Sequence, residues 1–331
     1  MDNERSRSVF WPVVMIVIGV VWLLGNLNFG IPGFNFLLFL RLWPLLLVVV
    51  GINLIIGRRW PLLRAAVVLL AIAGALAYVY LAPGFGLAPG PEIQHAEFSE
   101  PLGETESATI FIGSSVGKIT LEALNDSSNL FEAKLDYIGE VEFEVEGVAE
   151  KTVRLDADTG DFNLDYLEIL DVEELEWTIG ISQEVPVVLE FSSGVGEILL
   201  DLSGLDVTSV DLNGGVGQTE LRLPALDAGY SVTVSGGVGE LLVVIADGAE
   251  VDLQIDGGVG NIIIDVPDEA GVEVRADLGV GNIDVPREYD MTGGDSQIIG
   301  SSGTWESPTY DGADRRIEIE FDGGVGNLEI K

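Results

Sequence analysis

Residues 256–266 read DGGVGNIIIDV, and the phrase returns as GGVGQTELRL at 214–223, GGVGELLVVI at 236–245 and GGVGNLEI at 323–330. Glycine-rich loops cradle phosphates, hold calcium or turn corners, and each use needs different neighbours. A Walker loop needs Gly-Lys-Ser/Thr ahead of a helix, and no copy has it. A dinucleotide fingerprint also needs a following helix, whereas Ile262, Ile263 and Ile264 follow here. Calcium-binding nonapeptide repeats place an Asp two residues after the last Gly, where this chain has Thr219, Leu241 or Ile262. Only the acidity of the chain keeps calcium in view.

Other reactive groups are sparse. There is no Cys, so thiolate ligands, disulfides and cysteine nucleophiles are absent. His95 is the single histidine, in a Pro/Gly-rich stretch, and would have to serve any relay or zinc site alone. Carboxylates are too many to single out an acid/base pair. The expectation is no catalytic residue, no cofactor and no metal, hence no enzyme. A carbohydrate-active β-helical enzyme would need a basic or aromatic groove, and residues 86–331 hold ten Lys/Arg against 52 Asp/Glu. That charge also repels nucleic acid and anionic membrane surfaces.

The elements that would position these groups fall into two classes. Residues 9–27, 36–57 and 61–82 are apolar runs, each near the ~20 residues that cross a bilayer. They predict three N-terminal transmembrane helices after a short tail, 1–8. Arg5 and Arg7 precede the first, Arg58, Arg59 and Arg64 surround the turn between the second and third, and the loop 28–35 has no Lys or Arg. By the positive-inside rule the N-terminus is cytoplasmic and the segment after residue 82 extracytoplasmic. Arg41 lies near a span end and can snorkel. Without acidic residues in the spans, no ion path is expected.

A Pro/Gly linker is assigned to 83–100, and an acidic β-solenoid to 101–331. Aligned on the last Gly of each phrase, Gly117, Gly139, Gly160, Gly196, Gly217, Gly239, Gly260, Gly281, Gly303 and Gly326 are spaced by 21–23 residues, with one gap of 36. Apolar pairs such as Val210/Leu212 stand seven and five residues before the Gly, and pairs such as Ile262/Ile264 two and four after it. Period two on both sides of a glycine corner means two half-buried strands per unit. The predicted fold is therefore a membrane-anchored all-β protein, three transmembrane helices followed by a β-solenoid of about ten coils of ~21 residues, two strands each. Gly117, Gly196, Gly217, Gly239, Gly260, Gly281 and Gly326 are the structural corner glycines. The Val between the glycines is expected to point inward, and the polar residue after the last Gly (Lys118, Glu197, Gln218, Asn261, Asn282, Asn327) outward as a ladder.

Two stretches break the rhythm, 161–195 and 282–325, and carry aromatics. Trp177, Tyr289, Trp305 and Tyr310 are the candidates for partner contact, although burial against the edge of the stack is the plainer use of such rings. The exposed end of a solenoid is also an edge for self-pairing into a homo-oligomer.

Trp43-Pro44 with Gly51 resembles the transmembrane region of LiaF-type bacterial envelope-stress proteins, and the repeats ending in GGVGNLEIK resemble the toast-rack β-repeat domain, adhesin-like or DUF4097-like, that follows such spans. The resemblance implies a non-enzymatic envelope protein that senses envelope stress through protein–protein contacts and modulates a membrane sensor kinase or another envelope protein. The alternatives are a surface scaffold or adhesin that uses the solenoid as a binding face, and a carbohydrate-active enzyme.

Overall fold

Seven stretches of the described residues follow one plan: an arm with apolar side chains at alternate positions, a Val-Gly corner that reads Gly-Val-Gly in six of them, and a second alternating arm. The computed structural model describes residues 93–114, 116–158, 175–296 and 301–331. The three apolar runs and Gly160 lie outside them. Among the described residues no helix is long and apolar enough to cross a membrane, and the architecture is all-β.

The seven rungs are β2/β3 (Ser107–Gly113, Val116–Ala123), β8/β9 (Val187–Ser192, Val195–Asp201), β10 (Val207–Leu223), β11 (Tyr230–Ile245), β12/β13 (Val251–Asp256, Val259–Asp265), β14 (Gly271–Asp284) and β17 (Arg316–Ile330). All pair in parallel, first arm on first arm and second on second. The stack runs β2/β3, β8/β9, β10, β11, β12/β13, β17, β14, so the last strand is inserted ahead of an earlier one. A wholly buried face explains the Val, Ile and Leu that line both arms: Val210, Leu212, Leu221, Leu223 and their counterparts form the core between the first and second arms of the one folded sheet.

Shorter strands close the ends. On one side, β6 (Glu150–Asp158) lies parallel on β2, and β5 (Glu140–Glu146) antiparallel on β6. There β7 (Glu176–Ile181) also pairs with β3, β4 (Asn129–Tyr137) with β7, and β1 (Gln94–Pro101) with β4. On the other side, β16 (Ser301–Glu306) covers the first arm of β14, and β15 (Asp290–Ser296) covers β16.

Three sequence expectations are corrected. Among the described residues the stack has seven rungs in a non-sequential order, not about ten coils in chain order. Gly139 sits in the turn between β4 and β5, and Gly303 lies in antiparallel β16: hairpins recur at the same spacing as rungs, so the interval alone does not tell them apart. The linker ends before residue 94, because the alternating HAEFSE stretch pairs along β4 as β1. The rungs at both ends are also largely covered by other strands, so among the described rungs only the second arm of β14 is unpaired on its outer side, and the free edges are otherwise those of the covering strands β1, β5 and β15.

The corner explains the glycine. The seven corner glycines have φ between +139° and +155°; six press against the backbone of the rung before them, and Gly117, in the first rung, presses against Leu175 at the start of the covering strand β7. A Cβ on Gly239 would stand 1.9 Å from the Gly217 carbonyl oxygen. Gly248, in a return loop with φ +80°, has open space around it. Gly239→Ala is therefore expected to cost about 3–5 kcal/mol, from backbone strain plus overpacking. Gly248→Ala should cost only the left-handed penalty of about 1–2 kcal/mol. Thermal unfolding of the strand signal in the detergent-solubilised chain checks this, and equal losses would remove the close-approach argument.

Arg315 holds the inserted strand. Its Nη1 donates to the Leu226 carbonyl at 2.7 Å and the Gly248 carbonyl at 2.9 Å, and its Nη2 meets Asp227 at 3.1 Å. One side chain thus joins the start of β17 to the return loops on either side of β11. Arg315→Ala is expected to destabilise by about 1–3 kcal/mol. Lys should restore only part, lacking the planar fork, in the same unfolding assay.

Candidate interaction surfaces

The glycine corners leave no cradle for a ligand. Val216 N–H donates to the Gly194 carbonyl at 2.7 Å, Ser193 N–H to Asn213 at 3.1 Å and Gly257 N–H to Asp322 at 2.7 Å, so these donors serve the neighbouring rung. The hollow beneath the corners is about 50 Å³, lined by Ser193, Leu212, Thr219, Val234, Leu241 and Ile262 among others. It is the size of a water or two, far below a small-molecule site. The Ser193 hydroxyl there has no protein partner.

The corner valines point outward, against the sequence expectation. Val195, Val216, Val238, Val259, Val280 and Val325 are 38–55% exposed. The side-chain alternation reverses within the Gly-Gly pair: Leu212 faces the core, Gly215 is passed over in the pairing of β10 with β11, and Val216 already shares the parity of Gln218 and Arg222. Counting back from Leu221 rather than forward from Leu212 would have found it. The next outward position holds Lys118, Glu197, Gln218, Glu240, Asn261, Asn327 and Asn282 on successive rungs, all exposed. Asn327 Nδ2 donates to Asn261 Oδ1 at 3.0 Å.

The aromatic candidates are not gathered on one face. Trp177 is 2% exposed and sits on β7 between Leu135 and Ile119: it is a core residue, because its parity on β7 is inward, and it is withdrawn as a partner contact. Tyr289 and Trp305 pack half-buried against the core, and burial pushes the Tyr289 phenol up to about 12. Tyr310 opens a short 3-10 turn, Tyr310–Gly312, with the Arg316 guanidinium 4.6 Å from its ring centre and its hydroxyl 3.4 Å from Glu318. Burial, then Glu273 and Glu318, raises its pKa. His95 is exposed on β1 and contacts Asp136.

One clamp escaped the sequence reading. Lys151 of β6 is buried, with Nζ 2.5 Å from Glu100 and 2.7 Å from the Pro101 carbonyl. Phe98 of β1 stacks on Phe143 at 4.9 Å, and Phe143 on Phe131 at 5.9 Å. Together they fix β1, the strand that follows the apolar part of the chain. The available signal was a Lys, one of four in the acidic residues 86–331.

The outer face of the first arm is a row of like charges. Asp252, Glu318, Glu273, Glu306 and Asp290 are direct neighbours on successive strands, about 4.8 Å apart, and Arg275 pairs with Glu273. Among the described residues no group of His, Asp and Glu could hold a metal ion. Like charges placed opposite each other destabilise a sheet, and salt screens them. Raising NaCl from about 20 to about 500 mM should lift the melting temperature by about 3–6 °C. Calcium at matched ionic strength should add nothing, and a saturable calcium-specific rise would place an ion in the row.

The sequence was then compared with known proteins. Residues 9–55 match the LiaI-LiaF-like transmembrane region, and residues 89–244 match the N-terminal domain of toast_rack, DUF2154. No curated protein matches the sequence. A candidate cell adhesion protein from Clostridium sporogenes is similar in structure, with 19% identity, a TM-score of 0.47, and coverage of 72% of this chain and 99% of that one. A candidate adhesin from Bacteroides fragilis shows 12% identity, a TM-score of 0.29, and coverage of 74% and 100%. The chain thus carries a LiaF-like transmembrane region followed by a toast-rack β domain, in that order.

Proposed function

We propose that this is a non-enzymatic protein of the prokaryotic cell envelope that senses or regulates envelope stress by protein–protein contacts, modulating a membrane sensor kinase. In this reading three spans, about 9–27, 36–57 and 61–82, anchor the chain, with the N-terminus cytoplasmic and the toast-rack domain extracytoplasmic. The observation that carries it is the union of a LiaI-LiaF-like membrane region with a toast-rack domain. The build of that domain suits the role. Its glycine phrases form rung-to-rung backbone contacts rather than a ligand cradle. Its first strand is held by a buried ion pair and an aromatic stack, so a change in the segment ahead of β1 would reach the whole stack rather than dissipate in a loose joint.

The test is in-cell crosslinking of the full chain, with identification of what is captured, beside a chain whose residues 9–82 are replaced by an unrelated anchor. A sensor kinase captured with the native spans and lost with the replacement is the expected result. Capture of wall material alone, or capture unchanged by the replacement, would favour a scaffold or adhesin and remove the regulatory reading.

A further inference from the structure

In a domain this acidic, the corner edge is almost free of charge. The seven corners, 114–118, 193–197, 214–218, 236–240, 257–261, 323–327 and 278–282, contain only Lys118, Glu197 and Glu240 as charged residues. Along this edge one valine per rung stands in register with the next, from Val116 through Val238 to Val280. The six from Val195 onward make up most of the large apolar side chains exposed among the described residues. At outward positions of the second arm Leu199, Leu242 and Ile263 are half-buried, in a row interrupted by Glu220 and ended by Glu329, so the continuous apolar strip is the valine edge itself. Inward burial does not explain these valines, and a polar β-branched residue such as Thr would serve the backbone equally well. An exposed, contiguous apolar strip of this kind marks an interaction surface.

We propose that this valine ladder docks a second copy of the same chain. The spacing selects the occupant first: side chains repeating every ~4.8 Å along a parallel stack interlock along their whole length only with another ladder of that repeat. Charge selects it as well. A basic partner is drawn to the carboxylate row of the first arm, whereas two copies meeting at the neutral edge keep their carboxylate rows apart. Area sets the strength. Six steps of ~4.8 Å give a length of about 29 Å, and four residues of ~3.3 Å a width of about 13 Å. That is roughly 400 Å² per partner, against ~800 Å² for a stable soluble complex. The contact is therefore weak between free domains and becomes populated when two copies share one bilayer, where confinement raises their effective concentration. This step rests on the LiaF-like region as the anchor and is independent of which partner the protein regulates.

The experiment uses the full chain in membranes, where the absence of native Cys gives a silent background. Val238 is the fourth of the seven valines, so it lies near any two-fold axis that relates the ladders. Val238→Cys, and Gln218→Cys as a second reporter beside the ladder, should form disulfide-linked dimers under mild oxidation. Asp247→Cys, exposed in a return loop at the opposite edge, should stay monomeric. Changing Val216 and Val259 to Thr, which keeps shape and strand propensity, should lower the Val238→Cys dimer yield at least fivefold without altering the strand circular dichroism. Equal crosslinking at Asp247→Cys, or none at both ladder reporters, would overturn the proposal. Since the readout is a gel band of the protein with itself, it stands or falls separately from capture of a kinase.

Discussion

Everything in this domain depends on how closely one rung can approach the next at the corner. Parallel strands settle about 4.8 Å apart, and the bend turns the chain so that the space for a Cβ is occupied by the carbonyl of the preceding rung. At Gly196, Gly217, Gly239, Gly260 and Gly326 a side chain would meet that oxygen at 1.7–1.9 Å. Once glycine is granted there, both arms fall into register together. The apolar alternation on each arm then faces the other across one continuous core, and the return loops need only a few residues. One local constraint, repeated at six of the seven described rungs, sets the register, the core and the two outer faces.

Much of this was legible in the sequence, for identifiable reasons. Val210/Leu212 before the corner and Leu221/Leu223 after it announce two half-buried arms, and a glycine between two alternating runs announces a bend. The direction of Val216 was not legible by counting forward, because the reversal of parity is hidden in a Gly-Gly pair that carries no side chain to reveal it. Rung order was hidden too. Nothing local in RIEIEFDGGVGNLEI says whether it follows GVEVRADLGVGNID in space or precedes it, since both present the same pattern to a neighbour. Gly139 and Gly303 kept the interval without the geometry, and Trp177 looked like a surface aromatic only because its strand, β7, falls in the gap of 36 residues where no repeat frame assigns a face.

The corner edge differs in charge from the outer face of the first arm. Outside the first arm, carboxylates stand on adjacent strands at a spacing that costs stability, and the fold tolerates this because the core beneath is continuous. At the corner itself valines replace them, whereas the outer face of the second arm keeps charged residues such as Glu220, Asp265 and Glu329. At the valine edge itself a neutral surface can approach without meeting a row of like charges.

The place of β17 follows from the strength of its two arms. β14 has a full first arm, but its second ends early at Asp284, and Pro286, unable to donate a backbone hydrogen bond, blunts what would be the next pairing. β17 carries Ile317, Ile319 and Phe321 on one arm and Leu328 and Ile330 on the other, all buried. A strand with two complete apolar arms gains most when sandwiched between rungs on both sides, and a strand with one weak arm loses least at the edge. The non-sequential order therefore places the strong rung inside and the truncated one outside. It also means that β14 reaches the open edge of β12/β13 before β17 has been made, bearing the same Gly-Val-Gly-Asn phrase. The native stack is reached only if β14 waits or yields. Arg315, bonded to loops on both sides of β11, is the side chain placed to make the exchange favour β17, because only the segment leading into β17 carries a guanidinium at that point.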